Sequence, residues 1–102
     1  MSESRAGTRL ATRSLAVAAL ALLAACVSAP VQEMSDARQA IQAAEEAGAE
    51  THSPELLGDA KRLLTSAERK LQREAYASAR QDAREARRRA AEALEATRSG
   101  ED

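Results

Sequence analysis

Few side chains in this sequence are equipped for chemistry: one thiol, Cys26, one imidazole, His52, and an arginine run at Arg80, Arg84, Arg87, Arg88 and Arg89. A single histidine cannot supply two imidazole ligands to a metal, and no Ser-His-Asp constellation can be assembled around it. Adjacent carboxylates such as Glu45 and Glu46 diverge on a helix, so they make no acid–base pair. The chain is therefore read as non-enzymatic, with no metal, no cofactor and no small-molecule substrate. The thiol stands apart. A lone cysteine forms no disulfide within its own chain, and the residues ahead of it decide how it is presented.

Arg5, Arg9 and Arg13 precede an uncharged apolar run from Leu15 to Val27. Crossing a hydrocarbon core takes roughly 20 residues, so this run is too short to span. Positive residues, a short apolar run and small residues at its end describe a secretory signal peptide. The closing tetrad Leu23-Ala24-Ala25-Cys26 resembles the lipobox of bacterial lipoproteins. The resemblance implies cleavage between Ala25 and Cys26, a diacylglycerol on the thiol and a fatty acid such as palmitate on the new amine. Two lipid signals already give stable attachment to a membrane. Val27 follows the cysteine where inner-membrane lipoproteins of enterobacteria carry aspartate, which implies the periplasmic face of the outer membrane. No Arg-Arg pair marks a twin-arginine route. The expected organisation is a signal peptide over 1–25, a lipidated cysteine and tether over 26–33, a helical domain over 34–98 and a polar tail over 99–102.

The elements behind the anchor must be small and helical. From Cys26 onward there are 12 basic and 15 acidic residues, a net charge near −3 that gives no drive toward nucleic acid. Large apolar side chains are few: Met34, Ile41, Leu56, Leu57, Leu63, Leu64, Leu71, Tyr76 and Leu94. A core this thin holds no deep pocket. Met34, Ala37, Ala40, Ile41 and Ala44 recur at helical steps, with Ser35 as cap and Gly48 as stop, which predicts a helix over about 35–47. After a loop at 48–53, Ser53 caps a second helix that has Pro54 at its first position. Its expected buried stripe is Leu56, Leu57, Ala60, Leu63, Leu64, Ala67 and Leu71. Small residues continue at 79, 83, 86, 90, 93 and 97.

Neither glycine nor proline separates Leu71 from Ala79, so a single helix over 54–98 is locally allowed. A repeat argues for a break. Asp36-Ala37-Arg38, Asp59-Ala60-Lys61 and Asp82-Ala83-Arg84 are spaced 23 residues apart, and Ala44, Ala67 and Ala90 follow at equal offsets. Over 23 residues a helix advances six turns plus roughly 140°, so equivalent faces on one rod would point apart. Folding back at a turn near Glu74 brings them together. The expected fold is all-α, a small antiparallel three-helix bundle; the alternative is a bent hairpin of one short and one long helix.

Residues Ala40-Ile41, Ala44, Gly48-Ala49, Pro54, Leu57, Ala60, Leu64, Ala67, Leu71, Tyr76, Ala79, Ala83 and Ala86 resemble the pattern of bacterial envelope lipoproteins grouped under domain of unknown function 4398. The resemblance covers about 34–90 and implies a short, lipid-anchored helical domain. The family often carries glycine just before its tyrosine, where this chain has Glu74-Ala75.

The remaining features suggest surfaces. Arg80, Arg84, Arg87 and Arg88 share a helix face that suits lipopolysaccharide or an anionic leaflet. Opposing this, Glu85–Arg89, Glu85–Arg88, Arg89–Glu92 and Glu95–Arg98 have the spacing of ion pairs on a solvated face. Tyr76 is expected to plug the end of the core. The alanine seam is the kind of surface that pairs helix to helix, with a second copy or a periplasmic protein. The favoured reading is a helical spacer or adaptor pinned to the outer membrane; the rival is a binding module for anionic envelope polymers.

Overall fold

A computed structural model describes residues 28–101; Ala25 and Cys26 lie outside the described residues. Four helices follow one another: α1 (Val31–Glu46), the single turn α2 (Ala49–His52), α3 (Pro54–Gln72) and α4 (Tyr76–Glu101). The three long ones form the expected bundle in an up-down-up arrangement. Arg38 reaches Glu68 and Lys61 reaches Glu45, so α3 runs opposite to α1. Ser53 meets Thr97 and Ser66 meets Asp82, so α4 runs opposite to α3 and alongside α1.

The first helix starts a turn earlier than its apolar spacing predicts. Pro30, at φ −79°, already has a helix-like φ and lacks the N–H that a first turn leaves unpaired; its carbonyl accepts the Met34 N–H at 3.1 Å. Residues 31–33 are therefore helix and not tether. Glu33 sits in the first turn, favourably placed against the helix dipole. Ser35 caps nothing; inside the helix, its hydroxyl accepts a bond from Gln39 Nε2 at 3.3 Å. At the other end Gly48 adopts φ +94°, the left-handed conformation that closes a helix, and its N–H donates to Glu45 O at 3.0 Å.

Ser53 and Pro54 start α3 as expected, but the Ser53 hydroxyl makes no cap bond. It accepts instead from Thr97 Oγ1 at 2.9 Å, and both residues are buried. The helix predicted to end at Arg98 runs on to Glu101, so most of the supposed tail is helical.

The break near Glu74 is real, and it is a complete C-terminal motif. The Ala75 N–H donates to Lys70 O at 2.9 Å and the Glu74 N–H to Leu71 O at 3.0 Å. Glu74 carries the required positive φ, +61°. This position favours glycine, which the related pattern supplies close by and this chain does not. An L-residue in that conformation costs about 1–2 kcal/mol. Glu74→Gly should therefore raise stability by about 0.5–1 kcal/mol, after allowing for the greater freedom of glycine in the unfolded chain. Urea unfolding of the two proteins checks it; an unchanged or lower midpoint contradicts the strain.

The repeat finds its explanation in the core. Ala37, Ala60 and Ala83 are fully buried, and so are Ala44, Ala67 and Ala90. Among the described helical residues, ten of the thirteen buried hydrophobic side chains are alanines, the others being Met34, Ile41 and Leu57. Met34, Ala67 and Ala83 form one layer, and Ile41, Ala44, Leu57, Ala60, Ala90 and Ala93 build the longer one beyond it. The leucine stripe expected on α3 is only partly right. Of these leucines only Leu57 is buried; Leu56, Leu64 and Leu71 are half-buried and pack against the core from its flanks, Leu63 is half-buried outside both layers, and alanines fill most of the axis.

Candidate functional site

The polar contacts with the largest reach in sequence gather where α1 begins. Arg80, on the first turns of α4, donates from Nη2 to Ser28 O at 2.8 Å and from Nε to Glu33 Oε1 at 3.2 Å. Arg84 Nη2 approaches the same Glu33 oxygen at 3.7 Å. Arg80 and Glu33 are mostly shielded from water, and Pro30, between Ser28 and Glu33 in the chain, is fully buried. Arg80 thus fastens the segment that follows Cys26 onto the bundle, and is not available to an external anion as its helix position suggested.

Next to this clamp lies a second cross-helix contact. Asp82 Oδ2 accepts from Ser66 Oγ at 2.6 Å and pairs with Lys70 Nζ at 2.7 Å. Burial by itself pushes the Asp82 carboxyl up, but the bonds from Lys70 and Ser66, with the Lys70 charge, outweigh it and hold it below its ordinary 3.8. A carboxyl with a lowered folded value contributes stability that is complete above the unfolded value and is lost as pH falls through the folded one. Acid titration should therefore cut the unfolding free energy below about pH 4, and Asp82→Ala should flatten that limb while costing about 1.5 kcal/mol at neutral pH. Equal acid slopes in urea titrations of both proteins would exclude the pair as a source.

The other candidate arginines face outward. Arg84, Arg87 and Arg88, with Ala91, line a shallow groove of about 540 Å³. Arg88 pairs with Glu85, and Arg89 with Glu85 at 3.4 Å and Glu92 at 3.5 Å, as the spacing predicts; Glu95 and Arg98 do not pair. Arg87 is exposed and joins no ion pair with another described residue, although in the repeat it stands where Ile41 and Leu64 pack. A second groove of about 350 Å³ between α3 and α4 is lined by Asp59, Arg62, Leu63, Glu85 and Arg89. Its mixed charges already satisfy one another.

Farther along, Lys61 bridges α1, α2 and α3 through Glu45 at 3.3 Å and Glu50 at 3.5 Å. The hydrogen bond from Lys61 to Glu45 raises the lysine value, desolvation opposes this, and both glutamate charges reinforce the rise. His52 is exposed at the end of α2. Tyr76, the first residue of α4, is half-buried and belongs to neither core layer. Among the described residues no helix is long and apolar enough to cross a membrane, and no group of three His, Cys, Asp or Glu could hold a metal ion.

Reading the sequence missed Glu33. The sequence places it in a tether, and its partner Arg80 lies 47 residues away, beyond any local pattern. What could have pointed to it was Pro30, which sets a helix start three residues ahead of an acid.

Taken together, the molecule is an all-α bundle with an alanine axis, closed at one end by a clamp on its entering chain. Residues 32–102 match the family described as Domain of unknown function (DUF4398), and the chain belongs to that family. No curated protein and no solved structure matches it.

Proposed function

We propose that this chain is a non-enzymatic lipoprotein held by Cys26 at the periplasmic face of the outer membrane, its bundle acting as a spacer or adaptor for protein interaction. The supporting observation is the clamp. Arg80 holds Ser28, two residues past Cys26, so the domain has almost no slack with respect to its attachment point. A bundle mounted in this way holds whatever binds it at a fixed height, a property that suits a spacer better than an enzyme.

Growth with labelled palmitate, followed by gradient separation of the two membranes, tests the address. Label in the native chain and co-migration with outer membrane support it; an unlabelled chain, or one in the inner membrane, does not. In-cell crosslinking of the labelled form then tests the adaptor role, a discrete adduct of constant composition being the expected result.

A second reading, binding of anionic envelope polymers such as lipopolysaccharide, is favoured by the groove at Arg84, Arg87 and Arg88 and by the unpaired Arg87. Reversing these three to glutamate should abolish lipopolysaccharide binding; unchanged binding removes this reading.

A further inference from the structure

The end of the bundle that receives the chain from Cys26 differs in chemistry from the opposite end. Counting from the layer at Met34, Ala67 and Ala83, helix rise carries α3 and α4 about 8–10 Å farther toward this end, against about 6 Å for Pro30. The turn at 73–75 is therefore the tip. Residues 28–34 and 67–83, from the layer outward to this end, contain four basic and four acidic side chains, a balance of zero. Residues 45–59 and 88–101, which build the other, contain three basic and eight acidic ones, a balance of −5.

Arg73 stands at the tip and Arg69 one helical turn below it; both are exposed and pair with no described residue. Val31, 70 % exposed, is the one exposed large hydrophobic among the described residues, and it lies in the first turn of α1. The half-buried Tyr76 opens α4 beside the turn. An apolar side chain, an aromatic ring with a polar tip and unpaired arginines match the layered chemistry of a membrane interface, where rings sit at headgroup level and arginines meet phosphate.

We propose that this end of the bundle seats on the anionic headgroups of the leaflet that holds the lipid, with Val31 and Tyr76 against the interface and Arg69 and Arg73 on its phosphates. The proposal rests on the lipid at Cys26. From there to Ser28 the chain reaches at most about 7 Å, so the tip is held against the surface, not merely near it. The charge asymmetry then fixes polarity: an anionic leaflet repels the −5 end and not the neutral one, so the bundle stands with its acidic end outward.

Tyr76 is the only aromatic residue of the sequence and supplies its own signal. The full lipidated protein is reconstituted into phosphatidylglycerol vesicles, with and without bromine near the headgroup end of the acyl chains, and into brominated phosphatidylcholine vesicles. Brominated phosphatidylglycerol should quench most of the Tyr76 emission. Quenching should fall in phosphatidylcholine, in high salt and in the double variant Arg69→Gln/Arg73→Gln, while flotation with vesicles stays complete. The salt series needs no variant, so it stands whatever the double substitution does to folding. Complete flotation without quenching overturns the seating and leaves the anchor intact. Quenching indifferent to salt, headgroup and both arginines overturns the role given to phosphate. Failure to float removes the anchor, and the seating with it.

Discussion

Cys26→Ser should move the protein from the membrane sediment to the soluble periplasmic fraction and abolish incorporation of labelled palmitate. The shift is expected to be nearly all-or-none, because nothing else in the described chain substitutes for the lipid. No helix there can span a bilayer, and Val31 is a single apolar side chain. One myristoyl chain alone gives a membrane association constant of only about 10⁴ M⁻¹, whereas two signals give stable attachment. The charge asymmetry of the bundle is worth far less than acyl chains, since it acts at the surface and is screened by salt. Serine keeps the size of cysteine but offers a hydroxyl, a much poorer nucleophile for the thioether. The substitution precedes the first described helix in the chain, so unfolding of the released protein should match that of the lipid-free wild type. A variant that still sediments with membranes, together with a native form that takes no label, would sink the anchor reading.

The largest loss of stability should come from Met34→Ala. Met34 is 1 % exposed and is the only large side chain in the layer it forms with Ala67 and Ala83. Its fully buried neighbours are alanines and cannot fill the space it leaves, although Leu64 and Leu71 flank the layer, so the transfer loss and the cavity both count. Such substitutions cost about 2–5 kcal/mol. A domain of this size holds on the order of 4–11 kcal/mol in total, so roughly half of it goes. Leu63, half-buried at the rim of the groove facing Arg62 and Arg89, is the comparison. Truncating it should cost less, about 1–2 kcal/mol, since part of its surface stays in water and it packs against neither core layer. If urea midpoints of the two variants coincide, Met34 is not the keystone that its burial indicates.

What could be read in the sequence was the chemistry of single backbone positions and the phase of the repeat. Gly48 stops a helix because it alone takes φ +94° without strain, and Pro54 opens one because its missing N–H is not needed there. The 23-residue period gave the fold-back at Glu74 in spite of an unbroken local pattern, because only folded-back helices bring equivalent alanines onto one axis. The ion pairs of Glu85 with Arg88 and Arg89 followed from helical spacing alone.

What stayed hidden depends on contacts between distant parts of the chain. Ser53 and Ser35 both look like caps, but one is drawn to Thr97 and the other is overtaken by a helix that begins at Val31. Thr97 is polar and yet fully buried, which is tolerable only because Ser53 receives its hydroxyl. Arg80 looked like one more member of a solvated face, and only the approach of α1 turns it inward. For most of the leucines, hydrophobicity misled: alanines fill most of the axis, and Leu57 is the one leucine enclosed there.

The alanine axis also bears on how the molecule responds to temperature. A methyl side chain has no rotamers to lose, so enclosing ten of them carries no side-chain entropy penalty. Each also withdraws little apolar area from water, and that area is what raises the heat capacity of the unfolded chain. The increment per residue should therefore fall below the usual ~12–15 cal/mol/K. A small increment flattens the dependence of stability on temperature, so this rod keeps nearly the same modest margin in the cold as in the warm.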